Sequence, residues 1–257
     1  MKVTVTQLPD QHDALLESFE ALANHVQSEK SELVLLPEMP FYPWLAASEL
    51  VEDPSLWQTA VDAHEEWMPR LASLGTDIIL GSRPVLENNI PHNDAFVWQT
   101  GGSASFAHRK YYLPDEPGFW EATWYQRADQ PSFQAFETER AKIGFMICSD
   151  LWYGEHARAY ARQGVHILAN PRATEIGSVE KWLAGGRTAS VMSGAFALSS
   201  NRIGKNDVIT WGGSGWITDP DGEVLARTSA KEPFASVDID LRRAEKAKES
   251  YPRYVKE

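Results

Sequence analysis

Residues 141–158 read AKIGFMICSDLWYGEHAR and contain the chain's single cysteine, Cys148. Ahead of it, Lys142 to Ile147 is short, apolar and bounded by polar residues, the pattern of a buried strand. Behind it, Tyr153 to Gln163 carries Ala157, Tyr160 and Ala161 at helical spacing, and Gly164 stands where a helix would stop. Cys148 therefore falls where a strand gives way to a helix. Backbone N–H groups near a helix start bind anions, and the positive helix end favours thiolate over thiol. A lone cysteine is also a small apolar residue that packs well in a core. The flanking sequence has to separate the two.

Outward from this stretch, short apolar runs alternate with amphipathic ones. Lys2 to Gln7 alternates as a first strand, and Asp13 to Ser28 repeats Leu15, Phe19, Leu22 and Val26 at helical spacing. Leu33 to Leu36 is a buried strand ending in Pro37-Glu38. Pro54 to Ser73 reads as a second helix and Asp77 to Val85 as a strand. Asp94 to Gln99 and Ser103 to Arg109 flank Gly101-Gly102 as a hairpin that delivers Lys110. Val165 to Ala169, Ala195 to Ser200, Trp216 to Thr218, Glu223 to Ala226 and Ala235 to Ile239 are further strands. Val179 to Ser193 is helical, with Gly185-Gly186 expected to interrupt it. A short charged helix and a tail, Tyr251 to Glu257, close the chain. Intermixed strands and helices without linker or repeat predict one α/β domain over residues 1–257, and hairpins amid crossovers predict a mixed sheet.

Composition narrows the function. The 257 residues carry a formal net charge of −12 and no Lys/Arg cluster, which disfavours nucleic-acid binding. No apolar run approaches a bilayer span, and MKVTVTQ lacks a signal-peptide apolar block. One cysteine makes no internal disulfide, as suits a reducing cytoplasm. No paired His/Cys spacing supports a metal, and Gly212-Gly213-Ser214-Gly215 lacks the lysine of a phosphate loop.

Glu38, Lys110 and Cys148 share a position: each follows a strand-like apolar run. Strand ends are where α/β folds gather functional groups. A thiol needs a base, a carboxylate in a dry pocket can serve, and an ammonium can hold the charge that forms on an attacked carbonyl. The alternative is a buried Glu38–Lys110 ion pair beside a packed cysteine. Asp150 and Arg158, close to Cys148 in sequence, read as bonds that fix the turn.

The chain resembles the nitrilase superfamily of carbon–nitrogen hydrolases. Leu35-Leu36-Pro37-Glu38 is similar to its glutamate motif, His108 to Leu113 to its lysine motif, and Ile143 to Glu155 to its cysteine motif. Asn170-Pro171, Arg187, Ser200-Asn201-Arg202 and Asp219-Pro220-Asp221-Gly222 follow in the family's order. The resemblance implies a four-layer α-β-β-α sandwich, pairing of subunits into a homodimer or higher oligomer, and no cofactor or metal. It implies Cys148 as nucleophile, Glu38 as general base, Lys110 as stabiliser of the tetrahedral intermediate and Glu121 as a second glutamate that positions substrate and lysine. The N–H of Ser149 is the implied oxyanion contact. The loop Leu113 to Glu121 resembles the N-carbamoylputrescine amidohydrolase branch, although Gly154 stands where proline is usual and Ser149 where a large residue is usual. Tyr42, Trp120 and Trp152 are candidate pocket walls. Arg172 is the candidate for holding a substrate carboxylate, since Leu151 occupies the position where a related branch has arginine. The implied reaction hydrolyses a small amide or N-carbamoyl compound through a thioester. The alternatives are a nitrilase and a non-catalytic interaction protein of the same fold.

Overall fold

The computed structural model describes residues 1–102 and 104–255. The expected start of a hairpin arm at Ser103 and the last two residues of the expected tail lie outside the described residues. In chain order the principal elements are β1 (Lys2–Pro9), α1 (His12–Glu29), β2 (Leu33–Leu35), α2 (Ser55–Trp67), β3 (Ile78–Glu87), β4 (Ile90–Gln99), β5 (Ala104–Arg109), β6 (Phe136–Glu137), β7 (Lys142–Phe145), α3 (Gly154–Arg162), β8 (Ile167–Pro171), α4 (Val179–Ser193), β9 (Phe196–Lys205), β10 (Trp216–Thr218), β11 (Val224–Arg227), β12 (Phe234–Asp238) and α5 (Leu241–Ala247).

Strand alternation builds two faces. Val3, Val5, Leu33, Leu35, Ile78 and Leu80 point inward from one sheet, ordered β5-β4-β3-β2-β1-β12. Ile143, Phe145, Ile167 and Ala169 meet them in the same apolar cluster from a second sheet, ordered β6-β7-β8-β9-β10-β11. The two sheets join where Gln7–Pro9 of β1 runs parallel to Asn201–Ile203 of β9. Both sheets mix parallel and antiparallel pairs, as expected.

Helices cover the outer faces. α1 buries Leu15, Phe19, Leu22 and Val26 against Val34, Leu36 and Ile79, each burial stabilising by about 1.5–3 kcal/mol. On the other side Tyr160 of α3 lies over Gly144, where a Cβ would come within 2.9 Å of the ring. The result is a four-layer α-β-β-α sandwich. The parallel pairs β1–β2–β3 and β7–β8–β9, with β5 again running in the direction of β3, put the C-terminal ends of β2, β5, β7 and β8 at one end of the sandwich. Glu38, Lys110, Cys148 and Arg172 all follow those ends.

Four expectations are corrected. α4 runs unbroken through Gly185-Gly186. A Cβ on Gly186 would lie 2.1 Å from the buried Trp216 ring, so this glycine admits an indole and does not break the helix. The second helix stops at Trp67 and tightens into a 3-10 segment, Met68–Leu74, with Pro69 at its start, because proline supplies no N–H for the α ladder. β4 starts at Ile90, four residues before the expected start, and pairs with β3 through Asn88-Asn89, whose φ values of 53° and 64° make the tight reversal. Cys148 opens a 3-10 turn, Cys148–Trp152, and α3 begins only at Gly154.

Candidate active site

Glu38 is fully buried just beyond β2. Its Oε1 accepts from Lys110 Nζ (2.8 Å) and Asn93 Nδ2 (2.8 Å), and its Oε2 from the Ala173 N–H (3.1 Å). Arg202 fastens the loop that carries it. The guanidinium donates to the Glu38 carbonyl (3.2 Å), to the carbonyls of Met39 and Tyr42, and to Asp10 (3.2 Å) as countercharge.

Lys110 leaves the end of β5, and its N–H donates to the Asn93 carbonyl at 2.9 Å. Its ammonium also donates to Glu121 Oε2, which accepts from the Tyr125 hydroxyl as well. Glu121 Oε1 is buried with no hydrogen-bond partner among the described residues. Burial works against the charge on Lys110, but Glu121 and Glu38 outweigh it and hold its pKa well above the ordinary value. Burial pushes the Glu121 carboxyl up to about 7 against the pull of Lys110, with Glu38 adding to the rise.

Cys148 is reached differently. Its φ of 45° lies in the left-handed region, a conformation uncommon outside glycine that recurs at functional sites. Asn170 Nδ2 holds the turn through the carbonyls of Met146 (2.6 Å) and Cys148 (3.3 Å). Asp150, fully buried, accepts from the Ile147 N–H (3.1 Å) and His108 Nε2 (2.9 Å) on one oxygen, and from the N–H groups of Tyr111 (3.2 Å) and Tyr112 (3.0 Å) on the other. It thus ties the cysteine turn to the residues around Lys110, the turn-fixing role expected of it. The Sγ of Cys148 is 4.0 Å from the Ala173 carbonyl. Ala173 therefore touches the carboxylate with its N–H and the sulfur with its oxygen.

The expected tendency toward thiolate is corrected. Burial, reinforced by Glu38, pushes the Cys148 thiol well above its ordinary pKa, and Lys110 only opposes this.

Glu38, Lys110 and Glu121 are in direct contact, and Cys148 joins them through Ala173. Ser149 lies in the first turn of the 3-10 segment, where N–H groups have no intrahelical acceptor; its hydroxyl donates to the Tyr112 carbonyl. At Gly154 a Cβ would meet Met192 Cε at 2.8 Å. Trp120 immediately precedes Glu121 and packs with the cluster around Trp44, Trp124 and Trp211. Tyr42 is half-buried and offers its carbonyl to Arg202. Trp152 is 49% exposed and packs on Trp182 at 4.9 Å.

Arg172, the candidate for holding a substrate carboxylate, sits directly after β8. It is fully buried, and its donors go to Ser199 Oγ (2.7 Å), Thr174 Oγ1 (2.7 Å) and the Ser214 carbonyl (2.5 Å). Three contributors escaped sequence reasoning: Asn93, Ala173 and the His108–Asp150 bond. Asn93 lies in the polar run His92-Asn93-Asp94 and had no signal of its own. Ala173 acts through its backbone and had none. Among the described residues no His/Cys/Asp/Glu group could hold a metal, and no helix is long and apolar enough to cross a membrane.

The family model described as carbon-nitrogen hydrolase matches residues 2–249. Over 174 residues the chain is 33% identical to N-carbamoylputrescine amidase of Solanum tuberosum, a match covering 60% of this chain and 57% of that protein. The chain thus spans less than two thirds of the plant enzyme's length. It is 28% identical over 243 residues to citrullinase of Francisella tularensis, covering 88% of this chain and 84% of that one. The crystal structure of a carbon-nitrogen hydrolase from Helicobacter pylori G27 has a TM-score of 0.87 at 26% identity, covering 99% of this chain and 94% of that one. A sandwich shared along nearly the whole chain, together with the family match over almost every residue, makes this protein a member of the carbon-nitrogen hydrolase family.

Proposed function

We propose that the protein hydrolyses the non-peptide carbon–nitrogen bond of a small primary amide or N-carbamoyl compound through a Cys148 thioester, releasing ammonia. The observation that carries this is the junction at Ala173, which joins the Glu38 carboxylate to the Cys148 sulfur beside an ammonium fixed by two carboxylates. Glu38 Oε1 is occupied by two donors and Oε2 by one, so Oε2 is the atom with capacity to take a proton. A thiol pushed up by burial gives up its proton as it attacks. Glu38 takes the S–H proton, sulfur bonds to the substrate carbon, and the carbonyl π pair moves to oxygen. The third N–H of Lys110 and the Ser149 N–H receive that oxyanion. Glu38 then protonates the leaving nitrogen, the carbon–nitrogen bond breaks and ammonia departs. Water, deprotonated by Glu38, cleaves the thioester to acid or carbamate, and the proton returns to sulfur.

Glu121 favours amides over nitriles in this reading. Its free Oε1 accepts an amide N–H, which a nitrile lacks, and an unmet buried carboxylate oxygen costs on the order of 1–3 kcal/mol, about tenfold to a hundredfold in rate. The test measures ammonia from an amide, an N-carbamoyl compound and a nitrile of matched size, in wild type and Glu121→Gln. Amide or carbamoyl preference in wild type, reduced in the variant, supports the proposal. A wild-type preference for the nitrile makes it a nitrilase, and no ammonia from any of the three favours the interaction-protein reading. Two-fold pairing of subunits belongs to the same proposal; sedimentation as a monomer at micromolar concentration would count against it.

A further inference from the structure

Two arginines are buried at this end of the sandwich, and only one has a countercharge. Arg202 has Asp10 at 3.2 Å. Arg172 has no carboxylate partner among the described residues, and every acceptor it uses is a neutral oxygen: Ser199 Oγ, Thr174 Oγ1 and the carbonyls of Gly213 and Ser214. Burial draws its pKa down to about 9, which leaves it a cation at neutral pH, and a charge on Cys148 would draw it back up. Arg227, the other charge acting on it, is also a cation and is itself bonded to Glu180 at 2.7 Å. A buried cation without an anion is costly, so a partner of opposite charge is expected at some stage of the protein's work.

The hydrogen bonds lead to the cysteine. Ser199 Oγ, which accepts from Arg172 Nε at 2.7 Å, lies 3.0 Å from Asn170 Oδ1, and Asn170 Nδ2 donates to the Cys148 carbonyl at 3.3 Å. From its other side Arg172 fixes the junction residue. Its carbonyl accepts the Glu38 N–H at 3.3 Å, its own N–H donates to the Ser200 carbonyl at 3.0 Å, and Ala173 follows directly. The charged groups acting on the sulfur are Glu38 and Glu121 against Lys110, and a charge on Cys148 in turn favours the Arg172 cation.

We propose that Arg172 is a positioning residue for the nucleophile: a fixed cation whose missing counter-anion is the charge that forms on Cys148 during reaction, connected to the cysteine turn through Ser199 and Asn170. This rests on the reading of Cys148 as nucleophile. It differs from a substrate-carboxylate site in the anion: the guanidinium's hydrogen bonds go to neutral acceptors, and the charge it awaits is on the protein's own sulfur.

The test is the rate of Cys148 alkylation by iodoacetamide against pH, without substrate, in wild type, Arg172→Gln and Arg172→Lys. Arg172→Gln should move the midpoint up by about one pH unit, so that alkylation near pH 8 falls about tenfold. Arg172→Lys keeps the charge and should stay within about threefold of wild type. If both variants superimpose on wild type, the inference is overturned. It is also overturned if Arg172→Gln leaves alkylation unchanged and raises KM only for carboxylate-bearing substrates. Should Arg172→Gln fail to fold, Ser199→Ala cuts the connection with the charge retained. It should lower kcat with KM unchanged, and a kcat equal to wild type overturns the inference. Failure of the proposed function reads differently: wild-type Cys148 alkylates, yet no amide is turned over.

Discussion

The two sides of the site are held by opposite means. On the lysine side, Glu38, Lys110 and Glu121 are fixed by charge: three fully buried ionisable side chains, with both carboxylates bonded to the ammonium. On the cysteine side, Cys148 is fixed by backbone. A positive φ, two hydrogen bonds from the Asn170 side chain and the N–H groups gathered by Asp150 shape the turn, and the sulfur packs in the core with a long polar contact to the Ala173 carbonyl. The lysine side sets which protonation states exist, and the cysteine side sets where the sulfur stands. A change to one should therefore show first in stability and pH dependence, and a change to the other in rate.

The largest expected effect is on rate. Cys148→Ala should cut turnover about a thousandfold or more, because the covalent route is gone, while its thermal unfolding stays within a few degrees of wild type. A Cys148→Ala protein that keeps its rate would end the distinction between the two sides. Lys110→Met is the counterpart on the charged side. It leaves Glu38 and Glu121 buried together without their cation and should cost about 3 kcal/mol or more in urea unfolding at neutral pH. A melting curve unchanged from wild type would show that the cluster is not held by charge.

Asp150→Asn tests the link between the sides. It removes the charge from a carboxylate that accepts four donors and should cost about 1–3 kcal/mol of stability. Because the turn loosens, kcat should fall more than KM rises; the reverse pattern would place Asp150 at the substrate. The smallest effect is the pH slope from Glu121. Its folded pKa of about 7 lies above the unfolded value of about 4.3, so the fold favours its protonated form. That contribution is complete below about pH 4.3 and is lost as pH rises through 7. Unfolding free energy of wild type relative to Glu121→Gln should then decline between pH 5 and pH 7.5, by on the order of 1 kcal/mol because Lys110 and Glu38 share the titration. A difference that rises with pH would reverse the assignment.

The two sides were also unequally legible in the sequence. Glu38, Lys110 and Cys148 stood out because each ends an apolar run, and such runs survive as strands whatever surrounds them. Asn93 did not, since its value depends on β4 lying beside β5, which puts its carbonyl on the Lys110 N–H and its side chain on Glu38. Ala173 left no trace, because a backbone contact has no side-chain signature. Arg172 was visible as a charge but not as a buried one; its acceptors come from residues 199, 213 and 214. Gly185-Gly186 looked like a break because the Trp216 indole that explains Gly186 is thirty residues downstream. Local pattern reports strands and their ends; partners brought by register and packing are not local.

The most direct test of the central claim is the mass of the Cys148 peptide after rapid quench of the protein with a primary amide, with and without hydroxylamine. A thioester on Cys148 predicts an adduct equal to the acyl group on that peptide alone, and its diversion to hydroxamate when hydroxylamine is present. Ammonia release with Cys148 unmodified throughout, or an adduct on another residue, would contradict it.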